Sequence, residues 1–395
     1  MHRPEVADVI VQAAAAYEAR YRASRGQRRI LRDLVRCRTA ALGGHQQRCG
    51  ACGHEVISYN SCRNRHCPKC GGAARARWLA ARAADLLPVP YFHVVFTLPS
   101  QLGPLALQNK RVLYSLLFRA AAATLHTIAR DPKHLGADIG FLAVLHTWGQ
   151  TLRHHPHLHC VVPGGGLAPD GLRWVPCRRH FFLPVRVLSR RFRSTFLRLL
   201  RAAGAQGKLQ YHGQLAALAE PTAWQRWAHA LERVEWVVYA KPPFGGPEQV
   251  LKYLARYTHR VAIANQRLVS LADGQVTFRW KDYAHGQRSR TMTLAAVEFL
   301  RRFLLHRLPR GLQRIRQYGL LANRRRTTQL TRCRQLLGQC PAAATTAAAD
   351  PSAPAGGLDA PPAREVCPAC GSPRLTIVAL LPAPSVLAPG ARPPP

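Results

Sequence analysis

The sequence has few acidic side chains, with 19 Asp and Glu residues against 57 Lys and Arg residues in a chain of 395. The formal net charge of +38 favours a polyanionic partner, because each phosphate that a cation neutralises releases counterions. A basic structural protein of ribosomal type would have a similar charge. Charge alone therefore predicts nucleic-acid binding but no chemistry.

The sequence also lacks any run of about 20 uninterrupted apolar residues, so we expect no transmembrane helix and no membrane partner. Glu5 and Asp8 flank a short apolar segment near the start, which is unlike a signal peptide. Hydrophobic residues still form 47% of the chain, which is enough for folded domains. We expect a cytoplasmic protein.

Twelve cysteines are unexpected in a cytoplasmic chain, and two Cys-x-x-Cys pairs give the strongest signal. Cys49/Cys52 and Cys67/Cys70 lie in the segments CGACG and CPKCG, with a spacing typical of tetrahedral zinc sites. A disulfide framework is the alternative, but it suits an oxidising compartment. We predict that these four cysteines bind structural Zn²⁺.

Other cysteines and histidines leave two questions open. Near the first pairs, residues that could form a second zinc site or simply be buried are Cys37, Cys62, His45 and His66. Near the other end, the segment CPACG contains Cys367 and Cys370, which are only half a zinc site. Cys333 and Cys340 could complete that site; otherwise the pair is a remnant without metal.

Composition and patterning divide the chain into four parts. Residues 1–36 are predicted to be a helical lead-in, and residues 37–75 a zinc-binding domain. Residues 85–325 form the main domain, in which apolar strand-like segments such as VPYFHVVFTLPSQ alternate with amphipathic helices. Residues 341–395 are a low-complexity tail that we expect to be disordered and dispensable, because its Pro/Ala-rich part cannot form a core.

The segment HPHLHCVV, at residues 155–162, predicts a metal site. On a β-strand, His157 and His159 project from one face, and Leu158 and Cys160 project from the other, towards a core. Two imidazoles would then meet one divalent ion, which could polarise a phosphate oxygen. The alternative is a pair of partly buried histidines without metal.

A third ligand should come from a neighbouring strand. Carboxylates are missing from the apolar strands of this region, so a neutral ligand is expected. In VLHTWGQ, His146 and Gln150 would share a strand face, and we favour His146, with Gln150 as the second choice. His154 and His155 could instead contact phosphates.

A second group of residues suggests nucleophiles. Pro247 and Glu248 suit the first turn of a helix, on which Tyr253 and Tyr257 would lie on one face. A phenol can attack a phosphodiester, but its pKa of about 10 requires a polarised phosphate or nearby cations. The alternative is an aromatic pair packed on the core. The basic residues predicted to contact DNA around this helix are Lys252, Arg256, His259 and Arg260.

The order of these motifs, with FTLP and HPHLHCVVPGGG between the zinc pairs and YLARYTHR, resembles the insertion-sequence-91 family of transposases. That family belongs to the HUH nucleases, named for two histidines around a hydrophobic residue. The resemblance covers about residues 25–320, and the longer segments YNSCRNRHCPKC, TWGQTL and YLARYTHRVAIANQRL make it specific. It implies an α+β fold: an HUH-nuclease-like antiparallel sheet with flanking helices, the histidines in a central strand, and the tyrosine helix across them.

The resemblance also implies a function, that of a rolling-circle transposase. Tyr253 and Tyr257 would nick single-stranded DNA at transposon ends and transfer it through a 5′-phosphotyrosine, while His157 and His159 hold Mg²⁺ or Mn²⁺. Zn²⁺ would be structural. Target DNA is a second partner and the host replication machinery a further candidate, at the bacterial nucleoid in the cytoplasm.

The sequence leaves the identity of the metal ion and two alternative functions open. Imidazole ligands by themselves favour Zn²⁺ or Mn²⁺ over Mg²⁺. A zinc-containing nucleic-acid-binding protein without catalysis would use the same residues as phosphate contacts and stacking platforms. A metallo-hydrolase would cut with a metal-bound water instead of a tyrosine.

Overall fold

The computed structural model describes residues 3–178, 181–244, 249–250, 262–283, 285–286, 288–338 and 366–384. The chain forms two compact units. The terminal unit consists of Met1–Trp78, His259–Arg307 and Pro351–Pro395. The central unit consists of Leu79–Thr258 and Leu308–Asp350. Helices and antiparallel strands occur in both, so the class is α+β as predicted.

The elements of the described residues are numbered in chain order. The helices are α1 (Val6–Tyr21), α2 (Arg25–Arg36), α3 (Gly72–Ala83), α4 (Gly103–Gln108), α5 (Lys110–Arg130), α6 (Val185–Ala205), α7 (Pro221–Arg233), α8 (Ala296–Leu305) and α9 (Arg326–Leu336). The strands are β1 (Gly44–Cys49), β2 (Glu55–Tyr59), β3 (Tyr91–Thr97), β4 (Gly140–Trp148), β5 (His154–Pro163), β6 (Gly165–Leu167), β7 (Trp174–Pro176), β8 (Val238–Phe244), β9 (Leu268–Ala272), β10 (Gln275–Asp282), β11 (Arg288–Ala295), β12 (Ile315–Gly319) and β13 (Leu375–Leu381).

The central unit is built on a five-stranded antiparallel sheet with the order β12-β4-β5-β3-β8. The strand that carries HPHLHCVV is therefore central, as predicted. Leu158 and Cys160 are fully buried in the hydrophobic core, together with residues of α5 and α6. Phe96 of β3 contacts Phe192 of α6, with ring centroids 5.0 Å apart. One face of the sheet thus packs on helices, and the other carries the histidines.

Helix α5 is long and apolar enough, by length and composition, to cross a membrane. It instead packs in the central unit, where 67% of its most apolar window is buried. Leu117, Phe118 and Leu125 of this helix belong to the core under the sheet. Its hydrophobicity is that of a core helix, because burial against the sheet accounts for its apolar side chains.

The terminal unit contains α1 and α2, which lie within the predicted helical lead-in, residues 1–36. Asp273 and Gly274 have φ angles of 50° and 69° and form a tight turn between β9 and β10. Described residues between 262 and 307 belong to this unit, not to the main domain in which we placed them. The reason is that α8 packs against α1, and the Val6 N–H donates to Asn265 Oδ1 at 3.2 Å.

Strand β13 corrects the prediction for the C-terminal region. It pairs antiparallel with β1 from Gly44↔Leu381 to Cys49↔Leu375, in a three-stranded sheet with the order β13-β1-β2. The prediction of a low-complexity tail is therefore wrong for residues 366–384, because the segment LTIVALL has the β-branched and apolar residues of a strand. The Pro/Ala-rich residues 341–363 lie outside the described part of the chain.

Candidate functional site

Strand register brings three histidines of the central unit together. His146 of β4 lies directly opposite His157 of β5, and His159 follows two residues later on the same face. The ligand nitrogens of the three residues lie within 4.8 Å of one another. His146 and His159 are buried, while His157 is half-buried. We call these residues the histidine triad; it contains the two predicted strand histidines and the favoured third residue.

The spacing of the triad nitrogens suits a single metal ion. The Nε2 atoms of His157 and His159 are 3.1 Å apart. Two nitrogens at about 2.1 Å from one ion lie about 3.0–3.4 Å apart when their bonds subtend about 90–109°. The residues present therefore fit a divalent ion.

Hydrogen bonds to the outer ring nitrogens orient this site. The Nδ1–H of His157 donates to the backbone carbonyl of His155 at 2.7 Å, which leaves the lone pair on Nε2 for a metal. Nδ1 of His159 lies 2.8 Å from Nε2 of His93. When Nε2 of His159 binds a cation, its Nδ1 carries the proton and donates to His93.

His93 is a functional residue that sequence reasoning missed. It lies on β3 opposite Val161, and its ring stacks on that of His159 with centroids 5.1 Å apart. Burial, with Lys241 and His157 nearby, lowers the pKa of His93 to about 3. The neutral imidazole can therefore accept a hydrogen bond from the Nδ1–H of His159. The available signal was a single histidine in the otherwise largely apolar strand segment YFHVVFT.

The other predicted site residues differ in position. Gln150 lies in a turn beyond the end of β4, so it does not share a strand face with His146 as predicted. The reason is that β4 ends at Trp148, two residues before Gln150. Nε2 of His154 is hydrogen-bonded to the Tyr114 hydroxyl at 2.8 Å, and His155 is exposed.

The predicted nucleophiles and DNA contacts that lie outside the described residues are Tyr253, Tyr257, Lys252, Arg256, His259 and Arg260.

The terminal unit contains two groups of four cysteines. The proximal cysteine cluster consists of Cys37, Cys62, Cys67 and Cys70, with the Sγ atoms of Cys62 and Cys70 3.7 Å apart. The backbone N–H groups of Cys62 and Asn64 each donate to a cysteine sulfur at 3.5 Å. Cys37 caps the end of α2, and the other three cysteines follow β2, so this cluster is local in sequence.

The split cysteine cluster joins distant parts of the chain and consists of Cys49, Cys52, Cys367 and Cys370. The prediction that Cys49, Cys52, Cys67 and Cys70 form one site is therefore wrong, although all four belong to cysteine clusters. The β1–β2 hairpin carries the first pair next to β13, whereas Cys67/Cys70 lie beside the end of α2.

Only some of the other predicted zinc ligands belong to these clusters. Cys37 and Cys62 belong to the proximal cluster, but His45 and His66 belong to neither cluster of the described residues. Cys333 is buried on α9 in the central unit and does not complete the Cys367/Cys370 pair. Cys340 lies outside the described part of the chain.

Two protein families match parts of the chain. Residues 140–328 match the family described as "Putative transposase", and residues 9–98 match the "Transposase zinc-binding domain". The chain is 60% identical over 336 residues to "Putative transposase y4qJ" of Sinorhizobium fredii (strain NBRC 101917 / NGR234), covering 85% of this chain and 84% of that protein. It is 31% identical over 294 residues to "Transposase for insertion sequence element IS801" of Pseudomonas savastanoi pv. phaseolicola, covering 74% and 69%. No solved structure matches it.

Proposed function

The chain belongs to the insertion-sequence-91 family of transposases with an N-terminal zinc-binding domain, and we propose that it nicks and transfers single-stranded DNA. The family predicted from the motifs is thereby confirmed, and a transposase is a DNA-processing enzyme. The proposal of DNA nicking and transfer rests on the histidine triad, in which the Nε2 atoms of His157 and His159 are 3.1 Å apart.

The architecture around the triad supports an HUH-nuclease-like site. The two histidines flank Leu158 on the central strand of a five-stranded antiparallel sheet, whose other face is covered by α5 and α6. Leu158 is fully buried and anchors the strand, so the two imidazoles are held on the opposite face. Such a rigid scaffold suits a site that must position a phosphate.

In the proposed site, His146, His157 and His159 hold Mg²⁺ or Mn²⁺. A bound divalent ion supplies positive charge that polarises the scissile phosphate and stabilises the developing negative charge. The chain's contribution is to orient the imidazoles of His157 and His159, through the carbonyl of His155 and the ring of His93.

We place the nucleophile at Tyr253 or Tyr257. The phenol oxygen attacks the phosphorus and loses its proton, and the bond from phosphorus to the 3′ oxygen breaks. The 3′ oxygen takes up a proton, so the products are a 5′-phosphotyrosine and a free 3′ hydroxyl. The ester conserves the phosphodiester bond energy, and the second tyrosine permits a second cleavage and strand transfer. The net charge of +38 supports contacts with the ends of the transposon and with target DNA.

A covalent adduct tests this proposal. Incubation of the full chain with labelled single-stranded oligonucleotides from the DNA on both sides of its gene, with Mg²⁺ or Mn²⁺, should give a protein–DNA adduct. Peptide mass spectrometry should locate it on Tyr253 or Tyr257. The Tyr253→Phe/Tyr257→Phe variant should form no adduct but should still bind DNA, because only two hydroxyl groups are removed.

Tyr283→Phe is the control, since Tyr283 is exposed and lies in the terminal unit rather than in the unit of the histidine triad, so it should be dispensable for adduct formation. Cleavage that persists in the double tyrosine variant would favour the metallo-hydrolase. Binding without any adduct, across oligonucleotides and both ions, would favour the non-catalytic alternative.

Removal of His93 should weaken metal binding. His93→Leu should lower the affinity for Mn²⁺ by about 10- to 100-fold, because Nδ1–H of His159 loses its acceptor. Electron paramagnetic resonance of free Mn²⁺, titrated against the full chain without DNA, measures this directly. His93→Gln should recover much of the affinity, since its amide oxygen can accept. His126→Leu, at a half-buried histidine of the same unit, is the control, and equal affinity in His93→Leu would contradict this role.

A further inference from the structure

The split cysteine cluster has the dimensions of a metal centre. The Sγ atoms of Cys49 and Cys370 are 3.6 Å apart, and those of Cys52 and Cys367 are also 3.6 Å apart. A disulfide would bring two sulfurs to about 2.0 Å. Four thiolates at about 2.3 Å from one Zn²⁺, at tetrahedral angles, lie about 3.8 Å apart. The observed distances match the second arrangement.

The two halves of the cluster have the same backbone geometry. In the first half, the Gly53 N–H donates to the Cys49 carbonyl at 2.9 Å. In the second, the Gly371 N–H donates to the Cys367 carbonyl at 2.8 Å. Gly53 and Gly371 have φ angles of 74° and 72°, which favour glycine. The segments CGACG and CPACG thus form two equivalent turns that present two sulfurs each.

Strand pairing fixes how these two turns meet. The β1–β13 ladder ends at Cys49↔Leu375, and the Gly50 N–H donates to the Arg374 carbonyl at 2.8 Å just beyond it. This register places each cysteine pair at the same end of the sheet. The cluster is therefore positioned by backbone hydrogen bonds as well as by its sulfurs.

A backbone N–H group also points at one of the sulfurs. The Ala51 N–H donates to Cys49 Sγ at 3.4 Å. Such a hydrogen bond stabilises a thiolate, which is the form in which cysteine binds Zn²⁺.

We propose that Cys49, Cys52, Cys367 and Cys370 bind a second Zn²⁺, so that the C-terminal segment supplies half of the ligands of a site in the N-terminal zinc module. Residues 366–384 lie outside both matched family ranges, which cover residues 9–98 and 140–328. The proximal cluster binds the other ion. The chain then holds two structural Zn²⁺ ions, and this proposal stands apart from the DNA-cleavage mechanism.

Zinc content of the purified full chain tests the proposal. Imidazoles can also bind Zn²⁺, so the measurement is made with His157→Ala/His159→Ala in every variant. Elemental mass spectrometry should then give two Zn²⁺ per chain without cysteine substitutions and one with Cys367→Ser/Cys370→Ser. Cys49→Ser/Cys52→Ser should also retain one, and the variant with all four substitutions should again retain one. Cys177→Ser, at a half-buried cysteine in neither cluster, should retain two. Two ions in Cys367→Ser/Cys370→Ser would overturn the proposal.

A spectroscopic measurement distinguishes the loss of one zinc site from a general loss of zinc through misfolding. In the ¹¹³Cd-substituted chain, nuclear magnetic resonance should show two signals in the range of four-thiolate coordination. Cys367→Ser/Cys370→Ser should lose one signal from that range, while the other, from the proximal cluster, keeps its position. An unchanged spectrum, or a single four-thiolate signal in the wild type, would overturn the second site.

Discussion

His159→Ala is expected to lower the single-turnover rate of DNA nicking by about a thousandfold or more, with little change in the affinity for single-stranded DNA. The proposed metal stabilises the negative charge of the transition state and lowers its free energy by several kcal/mol. A difference of about 4 kcal/mol corresponds to about a thousandfold change in rate. His159 is buried and contacts both His157 and His93, so its removal takes away one ligand and the connection to the residue that orients it. Binding depends mainly on the Lys and Arg residues of the chain, which the substitution leaves in place.

His212→Ala is a control in the same unit. The His212 side chain is exposed, and the backbone N–H and carbonyl of this residue are hydrogen-bonded to Gln108. Alanine keeps those backbone groups, so nicking should remain within about threefold of the wild type. A His159→Ala variant that nicks at the wild-type rate would mean that the triad is a set of buried histidines without a catalytic ion.

Deletion of residues 366–395 is expected to remove one Zn²⁺ and to destabilise the terminal unit. The deletion removes β13, which leaves the edge of β1 unpaired, and it also removes half of the split cluster. Structural zinc sites have apparent binding free energies of about 10–16 kcal/mol in small domains. If about 4 kcal/mol of this stabilises the terminal unit, its melting temperature should fall by about 8–16 °C, as measured by calorimetry.

Replacement of residues 341–363 by a Gly/Ser segment of the same length is the control, because it keeps both cysteines, β13 and the length of the connection to them. This variant should retain two Zn²⁺ and its melting temperature. Nicking should persist in both variants, since the histidine triad lies in the central unit. An unchanged melting temperature and zinc content after deletion of 366–395 would contradict the stabilising role of this segment.

His157 and His159 of the histidine triad could be predicted from sequence because their signal is local, whereas His146 meets them through the register between β4 and β5. Alternation along a strand places His157 and His159 on one face whatever the rest of the fold does. His93 could not be found in this way, since its contact with His159 depends on the register between β3 and β5. Gln150 was misplaced because the strand ends at Trp148, two residues before it.

The cysteines show the limit of spacing as a guide. Spacing correctly identified each Cys-x-x-Cys pair as part of a cysteine cluster that could bind a metal ion. It carries no information on which pairs meet. Cys52 meets Cys367, 315 residues away, because β13 pairs with β1. The tyrosine helix remains a prediction, since Tyr253 and Tyr257 lie outside the described residues.

The distance in sequence between the two halves of the split cluster also sets the order of events during translation. Cys37 to Cys70 leave the ribosome together, so the proximal cluster has all its ligands early. Cys367 is synthesised 315 residues after Cys52, a delay of about 15–60 s at about 5–20 residues per second. Throughout that interval the nascent chain carries Cys49 and Cys52 as an incomplete thiol pair, exposed to oxidation and to competing metals until β13 emerges and pairs.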